Sequence, residues 1–246
     1  MVFAHGFGCD QHMWRHVTPR FIDRYRVVLF DHVGAGNSDL EAYESAKYSS
    51  LDGYARDMVE IVTDLDLHDV ILVGHSVSSM IGALATVQAS DRFAKLVMVG
   101  PSARYLNDDG YVGGFDEDDI LDMLDALESN YLGWSRQMAP AIIGNADRPE
   151  LGDELTASFC RTDPAIAHEF ARVTFMSDNR ADLVDVTTTT LILQCQDDFI
   201  APMSAGEYVH NHVANSTFVV LEATGHCPNL SHPTATADAI EQFVAL

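Results

Sequence analysis

Val70-Ile71-Leu72-Val73-Gly74-His75-Ser76-Val77-Ser78-Ser79-Met80 places a serine between an apolar run and a segment of good helix formers. Val70 to Val73 predicts a short buried strand, and a helix is expected to follow from about Met80. A serine in the tight turn between a strand and a helix has the layout of a nucleophile elbow. The usual motif is Gly-x-Ser-x-Gly, and here Ser78 takes the last position with a side chain small enough for close packing. A motif this short occurs by chance, so the interpretation also requires an acid and a base elsewhere in the chain.

Composition predicts one globular domain. The chain has 246 residues, 47% of them hydrophobic, which is enough for a substantial core. No apolar run approaches the roughly 20 residues that cross a bilayer. The chain opens on Met1-Val2-Phe3-Ala4 without a basic segment typical of a secretory signal, so we expect a cytoplasmic protein and no membrane association.

The strongly negative net charge of the chain limits the kinds of molecule that it is expected to bind. Thirty-seven acidic residues against fourteen basic ones give a net charge of −23. This surface disfavours nucleic acid and anionic membranes, which both require positive charge. A salt-rich cytoplasm would tolerate such a surface because salt screens the repulsion. An ordinary acidic protein and a salt-loving source both remain open.

No motif indicates a metal or a cofactor. The four cysteines form neither a CxxC pair nor a disulfide framework. His210 and His212 lack a third ligand at suitable spacing. The glycines between Asp31 and Ser38 do not match the G-x-G-x-x-G fingerprint of dinucleotide-binding folds. We therefore expect no cofactor and no metal.

Strand and helix patterns alternate along most of the chain, which predicts an α/β fold with a mostly parallel sheet and helices on both faces. Predicted strands lie at 1–4, 26–30, 70–73, 95–100, 190–195 and 217–221, and predicted helices include 12–22, 50–65 and 234–244. Between residues 102 and 180 the alternation gives way to four helical segments, which we interpret as a lid. The core then comprises residues 1–101 and 181–246, and the whole forms one structural domain.

Acidic and imidazole side chains follow later strands of this predicted sheet. Asp197 and Asp198 come after the strand that ends at Cys195, and His226 follows the next strand. Loops after parallel strands meet at one sheet edge, so these side chains can reach Ser76. The order Ser, Asp, His is that of a hydrolase triad. Ser76 would be the nucleophile and His226 the base.

Either aspartate could orient the histidine. We favour Asp198 because it stands four residues before Pro202 in a D-x-x-x-P loop. Backbone N–H groups of Val77 and of Phe7, in the His5-Gly6-Phe7-Gly8 loop, are the expected oxyanion hole.

The chain resembles the α/β-hydrolase superfamily, and within it the branch holding the bacterial stress-response regulator RsbQ and the plant strigolactone and karrikin receptors. The resemblance rests on His5-Gly6-Phe7-Gly8-Cys9-Asp10-Gln11, Gly74-His75-Ser76-Val77-Ser78, Tyr105-Leu106-Asn107-Asp108, Gly113-Gly114-Phe115, Asn130-Tyr131-Leu132-Gly133-Trp134, Phe175-Met176-Ser177-Asp178 and Gly225-His226-Cys227-Pro228. It implies an α/β-hydrolase fold with a four-helix lid. Members of this branch carry an antiparallel hairpin before the first strand found here, and this sequence is expected to lack it.

Two classes of function follow. The first is a serine hydrolase of a small, largely apolar ester or lactone, acting through an acyl-enzyme. The second, implied by the resemblance, is a signalling regulator or small-molecule receptor that activates a partner, such as a PAS-containing phosphatase. A dehalogenase is disfavoured because it needs an aspartate in place of Ser76. A monomer or weak dimer is expected.

Candidate substrate-binding residues lie beside the elbow and in the predicted lid. Phe7 and His75 flank Ser76, although His75 could instead only orient the backbone. Four large apolar side chains of the lid are expected either to line a pocket over Ser76 or to pack among themselves, namely Trp134, Met138, Phe159 and Phe175.

Overall fold

Six strands form one sheet in the computed structural model, which describes residues 1–246. The strands are β1 (Val2–Ala4), β2 (Val28–Leu29), β3 (Val70–His75), β4 (Phe93–Val99), β5 (Thr189–Asp197) and β6 (Ser216–Thr224). Their order is β2-β1-β3-β4-β5-β6, and every neighbouring pair is parallel. The predicted α/β class with a parallel sheet is confirmed.

Helices cover both faces of this sheet. Outside the interval between β4 and β5 they are α1 (Leu51–Asp64), α2 (Val77–Gln88), α7 (Met203–His212), α8 (Pro228–Ser231) and α9 (Pro233–Val244). Successive strand residues point to opposite faces, so Val2 joins the core beneath α1, α2 and α7, whereas Phe3 joins the core beneath α9. The two apolar cores therefore sandwich the sheet.

Four helices occupy the interval between β4 and β5. They are α3 (Glu117–Ser129), α4 (Tyr131–Ile143), α5 (Pro149–Phe159) and α6 (Pro164–Met176), called here the four-helix segment. Asp116 and Asp119 form a capping box at the start of α3, which explains why acids crowd there. Apolar side chains of all four helices join the core on the α9 face. None of the helices in the chain is long and apolar enough to cross a membrane.

Three elements differ from the sequence prediction. The interval predicted as a helix at 12–22 instead contains two short 3-10 turns, Gln11–Trp14 and Thr18–Arg20. Pro19 accounts for this break, because proline lacks an N–H and restricts the residue before it. Strand β2 has only two residues, at the sheet edge. Helix α7 was not predicted, since its buried residues Ala205, Gly206 and Val209 are too small to give a clear apolar stripe.

Candidate active site

Ser76 lies at the N-terminus of α2 in a strained turn. Its φ of 57° and ψ of −126° are unusual for a residue with a side chain. The turn is anchored because Ser76 N–H donates to the Val99 carbonyl of β4 at 2.8 Å. Strand and helix come so close that a side-chain carbon on Gly74 would lie 2.2 Å from the Ser78 carbonyl oxygen. Only glycine fits at position 74, so the close approach of strand and helix in this turn depends on that residue.

Ser78, which replaces the glycine of the usual motif, belongs to a buried polar network. Its hydroxyl donates to the His5 carbonyl at 2.5 Å and accepts from His32 Nε2 at 2.8 Å. The His32 amide in turn donates to His5 Nε2 at 3.0 Å. All three side chains are buried. The network ties the loop after β1 to the first turn of α2, beside Ser76.

The structure brings Ser76, His226 and Asp198 into one chain of hydrogen bonds. Ser76 Oγ lies 2.7 Å from His226 Nε2, and His226 Nδ1 lies 2.8 Å from Asp198 Oδ2. The second carboxylate oxygen accepts from the amides of Ile200 and Ala201 at 2.8 and 3.0 Å. Asp197, the alternative considered above, is exposed and makes no side-chain contact with His226.

Electrostatics keep Asp198 ionised although its side chain is fully buried. Burial alone raises the pKa of this carboxyl, but its electrostatic interaction and hydrogen bond with His226 and the hydrogen bonds from the two backbone amides outweigh burial, so the pKa lies below its ordinary value. An ionised Asp198 accepts the Nδ1 proton of His226. His226 Nε2 is then free to accept the Ser76 proton.

The loop bearing His226 rests on the C-terminus of α4. His226 N–H donates to the Ile142 carbonyl at 2.8 Å. Gly225 adopts a φ of +90°, and a side-chain carbon there would lie 1.8 Å from the Ile143 carbonyl oxygen. Asn145 completes the contact by donating to the Thr224 carbonyl at 2.8 Å. The four-helix segment therefore positions the histidine directly.

His75 orients this loop from the other side. Its Nε2 donates to the His226 carbonyl at 2.7 Å, and its side chain is buried. Burial, assisted by the nearby His226, lowers the pKa of His75 to about 3. His75 therefore stays neutral near pH 7.

Two backbone amides next to Ser76 have no partner within the chain, those of Phe7 and Val77. The loop bearing Phe7 lies against the serine, since a side-chain carbon on Gly6 would come within 3.1 Å of Ser76 Cβ. Unpaired N–H groups beside a serine hydroxyl can stabilise negative charge on a reacting carbonyl oxygen.

A small cavity of about 30 Å³ opens onto Ser76, with room for about two water molecules. Its lining is Phe7, Cys9, His75, Ser76, Ile142, Leu155, Phe159, Thr174, Phe175, Ile200, His226 and Cys227. Four of the six candidate substrate-binding residues are in this set. Trp134 and Met138 are not: the Trp134 ring stacks on Phe159, with 5.5 Å between centroids, and Met138 packs against the core cluster.

A larger cleft of about 520 Å³ lies between the start of α1 and the end of α6 and includes no residue of the hydrogen-bonded chain. We assign the candidate site to the smaller cavity because it is the one of the two that Ser76 and His226 line. No cluster of three or more His, Cys, Asp or Glu side chains in the chain has the geometry of a metal site.

Sequence reasoning missed Tyr105 as a site residue. Its buried hydroxyl lies 3.5 Å from Ser76 Oγ, and burial raises its pKa. It therefore remains a neutral hydrogen-bonding group beside the nucleophile. Its position, six residues after the end of β4, carried no catalytic motif that could have identified it.

A model described as "Alpha/beta hydrolase family" matches residues 1–239. The chain belongs to the alpha/beta hydrolase family. It is 38% identical over 234 residues to a Petunia hybrida protein named Karrikin insensitive 2 receptor CA, covering 95% of this chain and 87% of that one. It is 37% identical over 243 residues to Strigolactone esterase D14 of Arabidopsis thaliana, covering 98% and 91%.

A solved structure of a hydrolase from Oleispira antarctica superposes with a TM-score of 0.97 at 40% identity, covering 99% of this chain and 90% of that one. The predicted resemblance to the plant receptor branch of α/β-hydrolases is confirmed, and so is the fold that it implied.

The buried histidines predict acid sensitivity of the fold. The pKa of His75 is about 3 in the folded protein against an ordinary value near 6.5, and burial also lowers the pKa values of His5 and His32. Below about pH 6.5 the unfolded chain binds protons that the folded chain does not. The free energy of unfolding, measured with urea, should therefore fall from pH 7.5 to pH 5.

In the His75→Gln variant, the free energy of unfolding should fall less steeply with decreasing pH, by up to about 1.4 kcal/mol per pH unit. The reason is that the variant lacks one imidazole that only the unfolded chain protonates. His16→Gln is the matched control, because His16 is exposed and its side chain makes no hydrogen bond or ion pair, and this variant should keep the parent slope. Equal slopes for the parent and His75→Gln would contradict this assignment.

Proposed function

We propose that the protein is a serine hydrolase that cleaves a small, largely apolar ester or lactone, with Ser76, His226 and Asp198 as its triad. The observation that supports this most is the continuous hydrogen-bonded chain from Ser76 Oγ through His226 to a buried, ionised Asp198. Serine is a weak nucleophile until a base removes its proton, and this geometry supplies the base and the anion that orients it.

In the first step, His226 Nε2 takes the Ser76 proton as the oxygen attacks the substrate carbonyl. The resulting oxyanion accepts hydrogen bonds from the Phe7 and Val77 amides. The fold already holds these two donors in place, so they need not reorient during the reaction. The imidazolium is stabilised by Asp198. His226 then gives its proton to the leaving alcohol, and an acyl-enzyme forms.

Water completes the reaction in a second step, in which water is the nucleophile and the Ser76 oxygen is the leaving group. His226 accepts a proton from water, which attacks the acyl-enzyme, and then returns that proton to Ser76. A lactone is opened in the same way, except that the alcohol and acid remain in one product. No step requires a cofactor.

The substrate class is supported by the lining of the cavity. Most of the side chains around Ser76 are apolar, including Phe7, Phe159, Phe175 and Ile142. Polar substrates would lose their hydration there without compensation, whereas compact apolar acyl groups would not. The relative named as an esterase is consistent with ester chemistry.

A second role, as a signalling receptor, is favoured by the relative named as a receptor, which matches 95% of this chain. In this role ligand binding or turnover would change the surface of the four-helix segment, and a partner such as a PAS-containing phosphatase would bind one form. Both roles use the same triad and can coexist.

Ser76→Ala should abolish hydrolysis of p-nitrophenyl acetate and labelling by a fluorophosphonate, because the nucleophilic oxygen is removed. Ser79→Ala is the matched control: this buried serine lies in the first turn of α2, and its hydroxyl donates only to the Gly74 carbonyl. It should keep its labelling. A labelled Ser76→Ala variant would exclude Ser76 as the nucleophile.

Asp198→Asn should lower kcat by about 10⁴-fold, because a neutral amide neither selects the required tautomer nor stabilises the imidazolium. Asp197→Asn, one residue away and exposed, should have little effect. Both variants are assayed on the same p-nitrophenyl ester with melting temperatures in parallel. A larger loss in Asp197→Asn than in Asp198→Asn would reverse the assignment.

The receptor role is tested by hydrogen exchange in the Ser76→Ala variant, which removes turnover. With a butenolide lactone bound, amides throughout α3 to α6 should change protection while the sheet strands should not. If protection changes only at residues that line the cavity, the protein binds a ligand without presenting a new surface, and the plain enzyme role stands.

A further inference from the structure

Thr174, in the cavity wall, has a buried hydroxyl that makes no hydrogen bond and that the proposed mechanism does not use. Thr174, on α6, is 1% exposed and lines the cavity with Ser76, and its hydroxyl oxygen has no hydrogen-bond partner. It directly precedes Phe175, whose ring packs against Phe7 at 6.2 Å between centroids. Thr174 therefore brings an unpaired hydroxyl to a mostly apolar wall.

Thr174 differs in this respect from every other buried serine or threonine in the helices. Each of the others donates to a backbone carbonyl: Ser78, Ser79, Thr86, Ser135, Ser231 and Thr236. The usual partner for Thr174 would be the carbonyl four residues earlier, at Phe170, but this bond is absent. A helix packing role alone would be served equally well by valine.

No other side chain in the wall offers a strong donor that is free. His75 Nε2 donates to the His226 carbonyl, so its unpaired Nδ1 can only accept a hydrogen bond. Ser76 and His226 are bound to one another. Cys9 and Cys227 are weak hydrogen-bond donors, and burial raises the pKa values of both thiols, so they stay neutral. Apart from the backbone amide of Phe7, which is assigned to the attacked carbonyl, Thr174 is thus the one strong side-chain donor in the wall that remains available to a ligand.

We propose that Thr174 determines substrate specificity by donating a hydrogen bond to a second oxygen of the substrate, an ether or carbonyl oxygen remote from the carbonyl attacked by Ser76. The inference rests on the proposed function and adds to it the chemistry of the remote part of the substrate. A bound oxygen at this place satisfies a buried hydroxyl that is otherwise unpaired. An all-carbon group at the same place leaves it unpaired.

The experiment compares matched p-nitrophenyl esters. Each pair has one all-carbon acyl chain and one chain of equal length in which a methylene is replaced by an ether oxygen, placed at successive positions from the third to the fifth carbon. The ratio of kcat/KM for ether over alkyl is measured for the parent, Thr174→Val and Thr174→Ser. Because each ratio is taken within one enzyme, general effects on catalysis cancel.

For at least one oxygen position, the parent ratio should exceed the Thr174→Val ratio by roughly fivefold or more, the effect of one net hydrogen bond. Thr174→Ser retains the hydroxyl and should keep most of the preference. Thr174→Val should also melt at the same or a higher temperature, because an isosteric group replaces an unpaired hydroxyl. Equal ratios in parent and Thr174→Val at every position would overturn the proposal, as would a clear drop in melting temperature.

Binding separates this proposal from the proposed function. The same pairs are tested on Ser76→Ala, with and without Thr174→Val, by the ligand-induced shift in melting temperature. A preference for the ether that disappears with Thr174→Val supports the hydrogen bond even if the parent hydrolyses none of the esters. That lack of turnover would overturn the esterase assignment alone. Absence of any ether preference in binding would count against Thr174.

Discussion

The strained backbone of Ser76 is the constraint on which the site depends. A φ of 57° in a residue with a side chain costs of order 1–3 kcal/mol, and it persists only because the surrounding contacts determine it. Here the bond from Ser76 N–H to the Val99 carbonyl and the close packing at Gly74 hold the turn. The strain points the hydroxyl away from the helix and toward His226. It also leaves the amide of Val77 without a partner, so the same turn supplies both the proposed nucleophile and one proposed oxyanion donor.

The rest of the site is assembled around this turn by elements distant in sequence. The parallel sheet brings Asp198 and His226 to the same edge, because both follow strands that end there. Fine positioning comes from the four-helix segment, whose α4 carbonyl at Ile142 binds the His226 amide. This segment therefore positions the histidine of the proposed triad and is not only a cover. A displacement of α4 would move the base as well as the cavity wall.

Much of this arrangement could be predicted from the sequence, because local patterns determine it. The strand-turn-helix pattern around Ser76, the order of the three residues, and the loop spacing before Pro202 all led to the residues that the structure joins. What failed was the packing of side chains. Whether Trp134 or Thr174 faces the cavity depends on the rotation of α4 and α6, and helical periodicity alone does not determine it. Tyr105 was missed for the same reason, since its position depends on how an irregular segment returns over the sheet.

The size of the cavity has a consequence for both proposed roles. A volume of about 30 Å³ is too small for an ester, so binding requires a more open form, and the apparent affinity is reduced by the fraction of molecules in that form. Two contacts join α5 and the turn after it to the loop that follows β1. Ser158 Oγ, in α5, donates to the Gly8 carbonyl at 2.9 Å, and Arg161, two residues beyond the end of α5, pairs with Asp10 at 2.6 Å.

These contacts also hold the loop that carries the Phe7 amide. Opening that moved α5 would therefore loosen one of the two donors expected to stabilise the oxyanion. Under the proposed function, the segment would have to close again over the bound substrate before acyl transfer, so entry and chemistry would use different conformations of the same helices. In an enzyme, this cycle excludes water from the acyl transfer. In a receptor, the same closure is a ligand-dependent change that a partner can distinguish, which is why one architecture suits both roles.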